Sequence, residues 1–199
     1  MRRIAVAKSS AFLPDAPLKL AQQKTSDELP TSHYYKWLLP MLESALAGSE
    51  VWAISMMLDC EWDDSPAEER FLALNIEASR RGVTVERIFV IKREHLARIA
   101  RNKGVKAHLD NASSTLKPLV VERETLESRE PRLLEEIGDG LIAFDRRVAL
   151  IDVSSSHGIR GHVTMNQAEV ARLRQIFDSL HVHARDLGTV TAAGQIRRV

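Results

Sequence analysis

Apolar positions recur along the chain with two different spacings, which predicts both helices and strands. In residues 33–47, 66–81 and 166–187 they recur every three or four positions, the spacing of a helix with one buried face. Two short apolar runs, residues 51–58 and 83–91, have the length of buried strands instead. Because a helical segment separates these two runs, we expect a parallel pair of strands joined by a right-handed crossover.

The second half of the chain is predicted to complete the sheet. Residues 94–102 have a helical pattern, and residues 105–109 have that of a third strand. Residues 140–144 and 148–153 are typical of two strands joined by a tight turn. Together with the first half, these elements predict an α/β fold with a mixed β-sheet flanked by helices.

Proline and glycine positions indicate where the domain begins and ends. Pro14, Pro17 and Pro30 interrupt a polar N-terminal stretch, which favours a wrapping arm over a packed element. Gly188 follows the last periodic helix, and the residues after it have the character of a frayed tail. We therefore predict an extension over residues 1–32, one domain over residues 33–187 and a flexible tail over residues 188–199.

The composition is that of an ordinary globular protein with balanced charge. Its 28 basic and 27 acidic side chains nearly cancel, so no global attraction for nucleic acid or membranes is indicated. The single cysteine, Cys60, excludes an intrachain disulfide. No apolar run approaches the ~20 residues of a membrane-spanning helix. We expect a cytoplasmic protein that uses no cofactor and does not span a membrane.

One motif resembles the half-site of the phospholipase D superfamily. That half-site is written H-x-K-x4-D, followed by a small residue, a spacer and Asn, after which a long helix begins. Here residues 145–152, DRRVALID, have the same length and hydrophobic frame, with Asp152 at the position of the motif's Asp. The Thr-Met-Asn segment that ends at Asn166 matches the second element. The resemblance implies a phospholipase D-like half over roughly residues 52–187.

The two residues that carry the family's chemistry are replaced in this sequence. Asp145 stands at the position of the nucleophilic His and Arg147 at that of the Lys, so the covalent phosphohistidine step has no imidazole. The resemblance therefore implies a non-catalytic sensing or interaction module for a phosphate-bearing ligand or a protein partner. Because the family pairs two half-sites, it also implies a homodimer. The ligand-binding residues it points to are Arg147, Asp152, Asn166, Arg160 and Asp145.

A cluster of carboxylates supports a second hypothesis, a metal-dependent nuclease or phosphohydrolase. An acidic loop follows the first apolar run, and hard oxygen ligands there would suit a divalent cation. The loop lacks a recognised calcium-loop spacing, which favours a solvated loop with no metal. The metal hypothesis requires convergence of Asp59, Asp63, Asp145 and Asp152.

A basic segment supports a third hypothesis, nucleic-acid binding. Residues 80–106 contain nine Lys or Arg and two Glu, an excess that would neutralise phosphates. The segment has no interleaved aromatic series for base stacking. A solvated face paired with the acidic residues 122–136 is the simpler interpretation. If the segment binds nucleic acid, the residues we expect to contribute are Arg87, Arg98 and Arg101.

Overall fold

One mixed β-sheet organises the chain in the computed structural model, which describes residues 29–57, 65–155 and 158–196. The strands are β1 (Leu29–Pro30), β2 (Glu50–Met57), β3 (Thr84–Ile91), β4 (Leu116–Glu122), β5 (Gly140–Phe144), β6 (Val148–Ser155), β7 (Gly158–Thr164) and β8 (Arg185–Asp186). The helices are α1 (Thr31–Ser44), α2 (Pro66–Arg80), α3 (Lys103–Asp110), α4 (Arg123–Arg129), α5 (Pro131–Ile137), α6 (Gln167–His183) and α7 (Leu187–Ile196).

The order of strands across the sheet is β1-β7-β6-β5-β2-β3-β4-β8. The central strands β2, β3 and β4 are parallel, and β5, β6 and β7 continue the sheet as an antiparallel meander. The predicted α/β class, a mixed sheet flanked by helices, is thus confirmed. Among the described helices, none combines the length and apolarity that crossing a bilayer requires.

Helix α2 shows how local sequence sets an element. Ser65 caps it by accepting a hydrogen bond from the Glu68 backbone N–H at 3.3 Å, and Pro66 occupies the first turn, where no backbone donor is needed. Its apolar residues Phe71 and Leu74 lie on one buried face. The helix ends before residue 82, whose φ of 90° is the left-handed conformation that glycine adopts without strain.

The sheet is buried on both faces, and strand β3 divides the two. Val85 belongs to the cluster beneath α1 and α2, and Phe89 to the adjoining cluster with α3. Ile88 and Val90 point to the other face, against Phe177 of α6. This two-sided burial explains why β3 is a nearly continuous apolar run rather than an alternating one.

The hairpin predicted between residues 140 and 153 is confirmed. Arg147 donates its backbone N–H to the Phe144 carbonyl oxygen at 2.9 Å, and Asp145 and Arg146 adopt φ values of 47° and 57°. Such left-handed central residues match the twist of an antiparallel pair. The Asp145 carboxylate accepts hydrogen bonds from the backbone N–H of Glu50 at 2.7 Å and the hydroxyl of Ser49 at 3.1 Å. These bonds tie the turn to the start of β2.

Two predicted elements are wrong. Residues 94–102 form two short 3-10 turns, Arg93–His95 and Ile99–Arg101, instead of a helix. Residues 105–109 lie within helix α3, and the third parallel strand is β4. Asn102 caps α3 by accepting from the Val105 N–H at 3.0 Å, so the short apolar run becomes one face of a helix.

The predicted tail after residue 187 is also different in the structure. Residues 187–196 form helix α7. Asp186 accepts a hydrogen bond from the Thr189 N–H at 2.8 Å, and the Leu187 side chain is fully buried. Capping and burial together favour a packed helix over a frayed end.

Candidate functional site

A group of polar side chains lies between the sheet and helices α1, α2 and α3; two of them, Arg87 and His108, are buried, and the others are half-buried. Each comes from a different element, and all are within or beside apolar clusters of the core. Buried polar groups are uncommon unless they have a defined role, so this group is the candidate site. We call it the Arg87 cluster, and its members are Tyr35, Ser55, Glu68, Arg87 and His108.

Arg87 is the centre of the cluster. It lies on the α1–α3 face of β3, and only 3% of its surface is exposed. Its Nη1 donates to Ser55 Oγ at 2.8 Å. Since Arg87 pairs in register with Ala53, its side chain extends two residues further along β2, toward the carboxyl end of the strand. The guanidinium carbon lies 4.9 Å from the ring centroid of Phe71, close enough for a cation–π contact.

Glu68 places a titrating carboxyl beside this cation. It lies in the first turn of α2 and accepts a hydrogen bond from the Tyr35 hydroxyl of α1. Burial raises the pKa of Glu68 to about 7, and the positive charge of Arg87 acts in the opposite direction. The carboxyl therefore exchanges its proton near neutral pH, so the net charge of the cluster changes there.

His108 contributes a neutral imidazole. Its Nδ1 lies 2.7 Å from the Gly104 carbonyl oxygen, which can only accept, so Nδ1 carries the proton and Nε2 is the acceptor nitrogen. The ring stands edge-on to Phe89 at a centroid distance of 5.6 Å. Burial, and then the charge of Arg87, lower the pKa of His108 to about 3. The imidazole is consequently uncharged at physiological pH.

The position of the cluster in the fold suits ligand binding. Strands β2 and β3 run parallel, whereas β5 pairs with β2 from the other side in the antiparallel direction. In open α/β sheets, ligands bind outside the carboxyl ends of the parallel strands. A guanidinium that points toward this end can bind carboxylate or phosphate oxygens with two parallel hydrogen bonds.

The residues implied by the phospholipase D resemblance are divided between the two ends of the sheet. Gln167 donates to the Arg147 carbonyl oxygen at 3.3 Å, so Arg147 and Asn166 are neighbours at the hairpin end. Asp152 lies five residues further along β6, roughly 17 Å away. Arg160 pairs with the residue that follows Asp152, at that same far end. The backbone register thus does not bring these residues to one pocket.

Two of those residues also have structural tasks. The Asn166 side chain caps α6 by accepting from the backbone N–H groups of Ala168 at 3.0 Å and Glu169 at 3.4 Å. Asp145 anchors the hairpin turn to β2 through the two bonds described above. Both side chains therefore form hydrogen bonds with nearby backbone groups instead of being available to a ligand.

The carboxylates of the metal hypothesis are not brought together where the structure describes them. Asp152 lies four residues beyond Val148, about 13 Å along β6, and Asp145 lies on the other side of Val148. A divalent cation holds its oxygen ligands at about 2.0–2.6 Å, so these two cannot share one. Within the described residues, no group of three His, Cys, Asp or Glu side chains is placed to hold a metal. Asp59 and Asp63 lie outside the described residues.

In the basic segment, Arg93, Lys103 and Lys106 form ion pairs with acidic side chains. Arg93 Nε lies 2.6 Å from Glu122, as expected from pairing with the acidic residues 122–136, and Lys103 Nζ lies 2.5 Å from Glu69. Arg87 is only 3% exposed, so it does not lie on the outer surface that a bulky nucleic-acid duplex would contact. Of the three predicted contacts, Arg98 and Arg101 remain on the surface.

Sequence reasoning missed most of the Arg87 cluster. One signal was available: Arg87 shares its strand face with the apolar Val85 and Phe89, so a charge stood among inward-facing positions. His108 was hidden by the incorrect strand over residues 105–109. Glu68 lies in the first turn of α2, where the helix dipole alone favours an acidic residue, so its presence gave no signal of a site.

Comparison with known proteins identifies the fold and no more. No protein-family model matches the sequence, and no curated protein matches it. A solved structure that is similar is that of TrmBL2, an archaeal chromatin protein with a novel mode of DNA binding. The TM-score is 0.50 at 13% sequence identity, covering 86% of this chain and 60% of the TrmBL2 chain. The chain therefore spans three-fifths of TrmBL2, and at this identity the likeness supports a shared α/β fold alone.

Proposed function

We propose that this chain is a non-catalytic binding module whose ligand is a small anion, such as a phosphate-bearing molecule, that engages Arg87. The observation that carries the proposal is the placement of Arg87, a buried guanidinium extended toward the carboxyl end of two parallel strands. Arginine suits such a site because its planar group is always charged and matches phosphate or carboxylate geometry.

The neighbours of Arg87 are compatible with an anionic ligand. The charge of Arg87 influences the Glu68 carboxyl, whose pKa of about 7 lets it take up a proton when an anion approaches. His108 is neutral and adds no charge that would compete for Arg87. Proton uptake by Glu68 would leave Arg87 as the dominant charge of the cluster.

A phospholipase D-like origin and a homodimer belong to the same proposal. The chain has the predicted hairpin and the predicted long helix with Asn166 at its start, and the structure adds a third antiparallel strand, β7, between them. The proposal moves the ligand away from residues 145–152 to the Arg87 cluster, because Asp145 and Asn166 bond to local backbone. Analytical ultracentrifugation of the full chain tests the dimer directly.

A thermal-shift experiment tests the ligand. Inorganic phosphate, pyrophosphate, nucleotides and phospholipid headgroups are added to the wild type and to Arg87→Met, which replaces the buried charge by an apolar chain of similar length. A matched control is Arg81→Met, whose arginine donates to the Leu42 carbonyl oxygen at 2.7 Å, outside the cluster. A native-state ligand raises the unfolding temperature by mass action.

We expect at least one anion to stabilise the wild type and Arg81→Met, and not Arg87→Met. An Arg87→Lys variant, which keeps the charge but not the planar fork, should give a reduced shift. An equal shift in Arg87→Met would overturn the proposal, as would the absence of any shift in the wild type. Circular dichroism of each variant establishes that the fold is retained.

Nucleic-acid binding is the second candidate. The similarity of fold to TrmBL2, a DNA-binding chromatin protein, and the surface positions of Arg98 and Arg101 favour it. Affinity for duplex DNA should then fall steeply as salt rises. Reversing both charges, Arg98→Glu with Arg101→Glu, should abolish binding, whereas Arg123→Glu on α4 should not. Unchanged binding in the double variant would eliminate this candidate.

A further inference from the structure

Two consecutive tight turns after strand β3 place a histidine and two arginines on the same side of the chain. Arg98 donates its backbone N–H to the His95 carbonyl oxygen at 3.0 Å, and Arg101 donates its own to the Arg98 carbonyl oxygen at 2.9 Å. In 3-10 turns, residues three apart in sequence lie one above the other. His95, Arg98 and Arg101 therefore form a row along this segment.

The Arg98 guanidinium is bonded to the imidazole of His95. Arg98 Nη2 lies 2.5 Å from His95 Nδ1. Because a guanidinium has donors only, Nδ1 is the acceptor and the ring proton is on Nε2. Nε2 in turn lies 3.4 Å from the Glu94 carboxylate. The bond to Arg98 therefore exists only while the imidazole is neutral.

The two partners of this bond differ in burial. His95 is 8% exposed, whereas Arg98 and Arg101 are exposed. The packing around the imidazole holds the ring in place. The guanidinium, in contrast, can turn into solvent without leaving a buried site. A change at the ring should therefore move the arginine rather than the histidine.

The charges that other elements present to this segment have partners of their own. Strand β4 and helix α4 contribute Glu122 and Glu124. Glu122 lies 2.6 Å from Arg93 Nε, and Glu124 accepts the Arg93 backbone N–H at 3.0 Å. Toward the sheet, the segment packs on an apolar cluster.

Helix α3 follows the second turn, and its charges are also paired. Lys103 pairs with Glu69, and Lys106 with Asp110. His108 belongs to the Arg87 cluster and is neutral. Among the described residues, the charged partners of the His95 ring are thus those of its own segment.

From this arrangement we infer that His95 controls the nucleic-acid interface: the neutral ring holds Arg98, and the protonated ring releases it to contact a phosphate beside Arg101. Protonation turns Nδ1 into a donor, so the bond to Arg98 breaks and two positive charges face each other. Affinity for duplex DNA therefore rises as pH falls through the range in which imidazoles take up a proton. The inference rests on nucleic-acid binding, the second candidate function.

DNA binding at two pH values tests the inference. Fluorescence anisotropy with a labelled duplex is measured at about pH 8 and about pH 5.5, on either side of the ordinary imidazole titration. The variant is His95→Gln, because a glutamine amide oxygen can accept from Arg98 and does not titrate. The matched control is His181→Gln, which removes an exposed histidine from helix α6.

The wild type and His181→Gln should bind about fivefold or more tightly at the lower pH, because one more phosphate is contacted. The slope of log affinity against log salt should become steeper by about 0.9 for the same reason. His95→Gln should show neither change. If DNA binds and His95→Gln keeps the pH dependence of the wild type, the inference is overturned and the interface stands. Absence of DNA binding at every pH would eliminate the interface and the inference with it.

NMR of the His95 ring tests the pair without DNA. The proton should be on Nε2 at about pH 8. In Arg98→Gln the titration of the ring should move to higher pH, because a positive charge that opposes protonation is lost. Arg101→Gln, which makes the same charge change one turn further on, should move it much less. A ring protonated on Nδ1 at the higher pH, or a titration unchanged in Arg98→Gln, would overturn the inference whatever the DNA measurements show.

Discussion

Two arginines lie against aromatic rings on opposite faces of the sheet, and they differ in almost everything else. Arg87 is 3% exposed and stacks on Phe71, among groups whose pKa values are displaced by burial. The Arg174 side chain is 23% exposed, stacks on Trp52 and Phe177, and has Glu50 and Asp178 as ionic neighbours. The same side chain thus serves as an interior charge on one face and as a rim charge on the other.

The difference lies in how each charge is solvated. Removing an interior charge leaves polar neighbours without water or a partner, whereas a rim charge is replaced by solvent. Stability should therefore depend strongly on Arg87 and weakly on Arg174. Responses to pH should likewise be concentrated on the Arg87 face.

The largest effect is expected from Arg87→Ala. Truncation leaves a cavity and removes the partners of Ser55 and Glu68, which should cost about 3–5 kcal/mol of unfolding free energy. Arg87→Met fills much of that volume and should cost clearly less. Urea denaturation of both variants measures the difference. If Arg87→Ala lost less unfolding free energy than Arg87→Met, the buried guanidinium would not be stabilising the fold.

The next effect concerns acid stability and His108. In the folded protein the pKa of His108 is about 3, below its ordinary value of 6.5. The unfolded chain therefore binds a proton at His108 more readily than the folded chain does. The stability that neutral His108 contributes is complete above pH 6.5 and is lost as pH falls toward 3. The loss should amount to a few kcal/mol for a fully buried imidazole. In His108→Leu the slope of stability against pH over this window should become smaller. A wild-type slope in the variant would mean that other groups dominate acid unfolding.

Glu68 should act in the opposite direction. In the folded protein the pKa of Glu68 is about 7, above its ordinary value of 4.5. The stability that protonated Glu68 contributes is therefore complete below pH 4.5 and is lost as pH rises through 7. Because Glu68 is partly in contact with solvent, the free energy of unfolding should fall by only roughly 1–3 kcal/mol over this pH range. Glu68→Gln should remove this slope and leave the variant more stable than the wild type at pH 8. NMR titration of the Glu68 carboxyl in Arg87→Met should show a still higher pKa.

The hairpin beside the Arg174 face should respond next. Asp145→Ala removes two hydrogen bonds and puts a side chain without local bonding at positive φ, which should cost about 1–2 kcal/mol. Arg146→Gly, at the neighbouring residue of the same turn, should change stability by less than about 0.5 kcal/mol. Thermal unfolding of the two variants checks the contrast, and equal effects would show that the Asp145 bonds are unimportant.

The smallest effect is expected from Arg174→Gln. Loss of an accessible ion pair and a partly solvated cation–π contact should cost about 0.5–1 kcal/mol. Urea denaturation at low and at high salt separates the ion-pair contribution from the cation–π contribution, because salt weakens the ion pair. A cost equal to that of Arg87→Ala would remove the distinction between the two faces.

Local sequence patterns were sufficient to predict the main helices and strands, but they predicted little of the candidate site. The runs over residues 51–58 and 83–91 were correctly predicted as strands because burial on both faces leaves an unbroken apolar signature. The hairpin was also predicted, since tight turns depend on adjacent residues. The run over residues 105–109 was not, because a short apolar run fits a strand or one face of a helix equally well.

By itself, the sequence determined an α/β domain with balanced charge, its parallel core strands, its hairpin and the long helix that follows Asn166, because these depend on local periodicity and composition. Only the tertiary structure decided that Arg87 is an interior residue beside Glu68 and His108, and that Arg174 covers Trp52. These groups come from segments far apart in the chain. Their burial, and therefore their charge state, is fixed by which helices pack on each face of the sheet, and no local pattern encodes that choice.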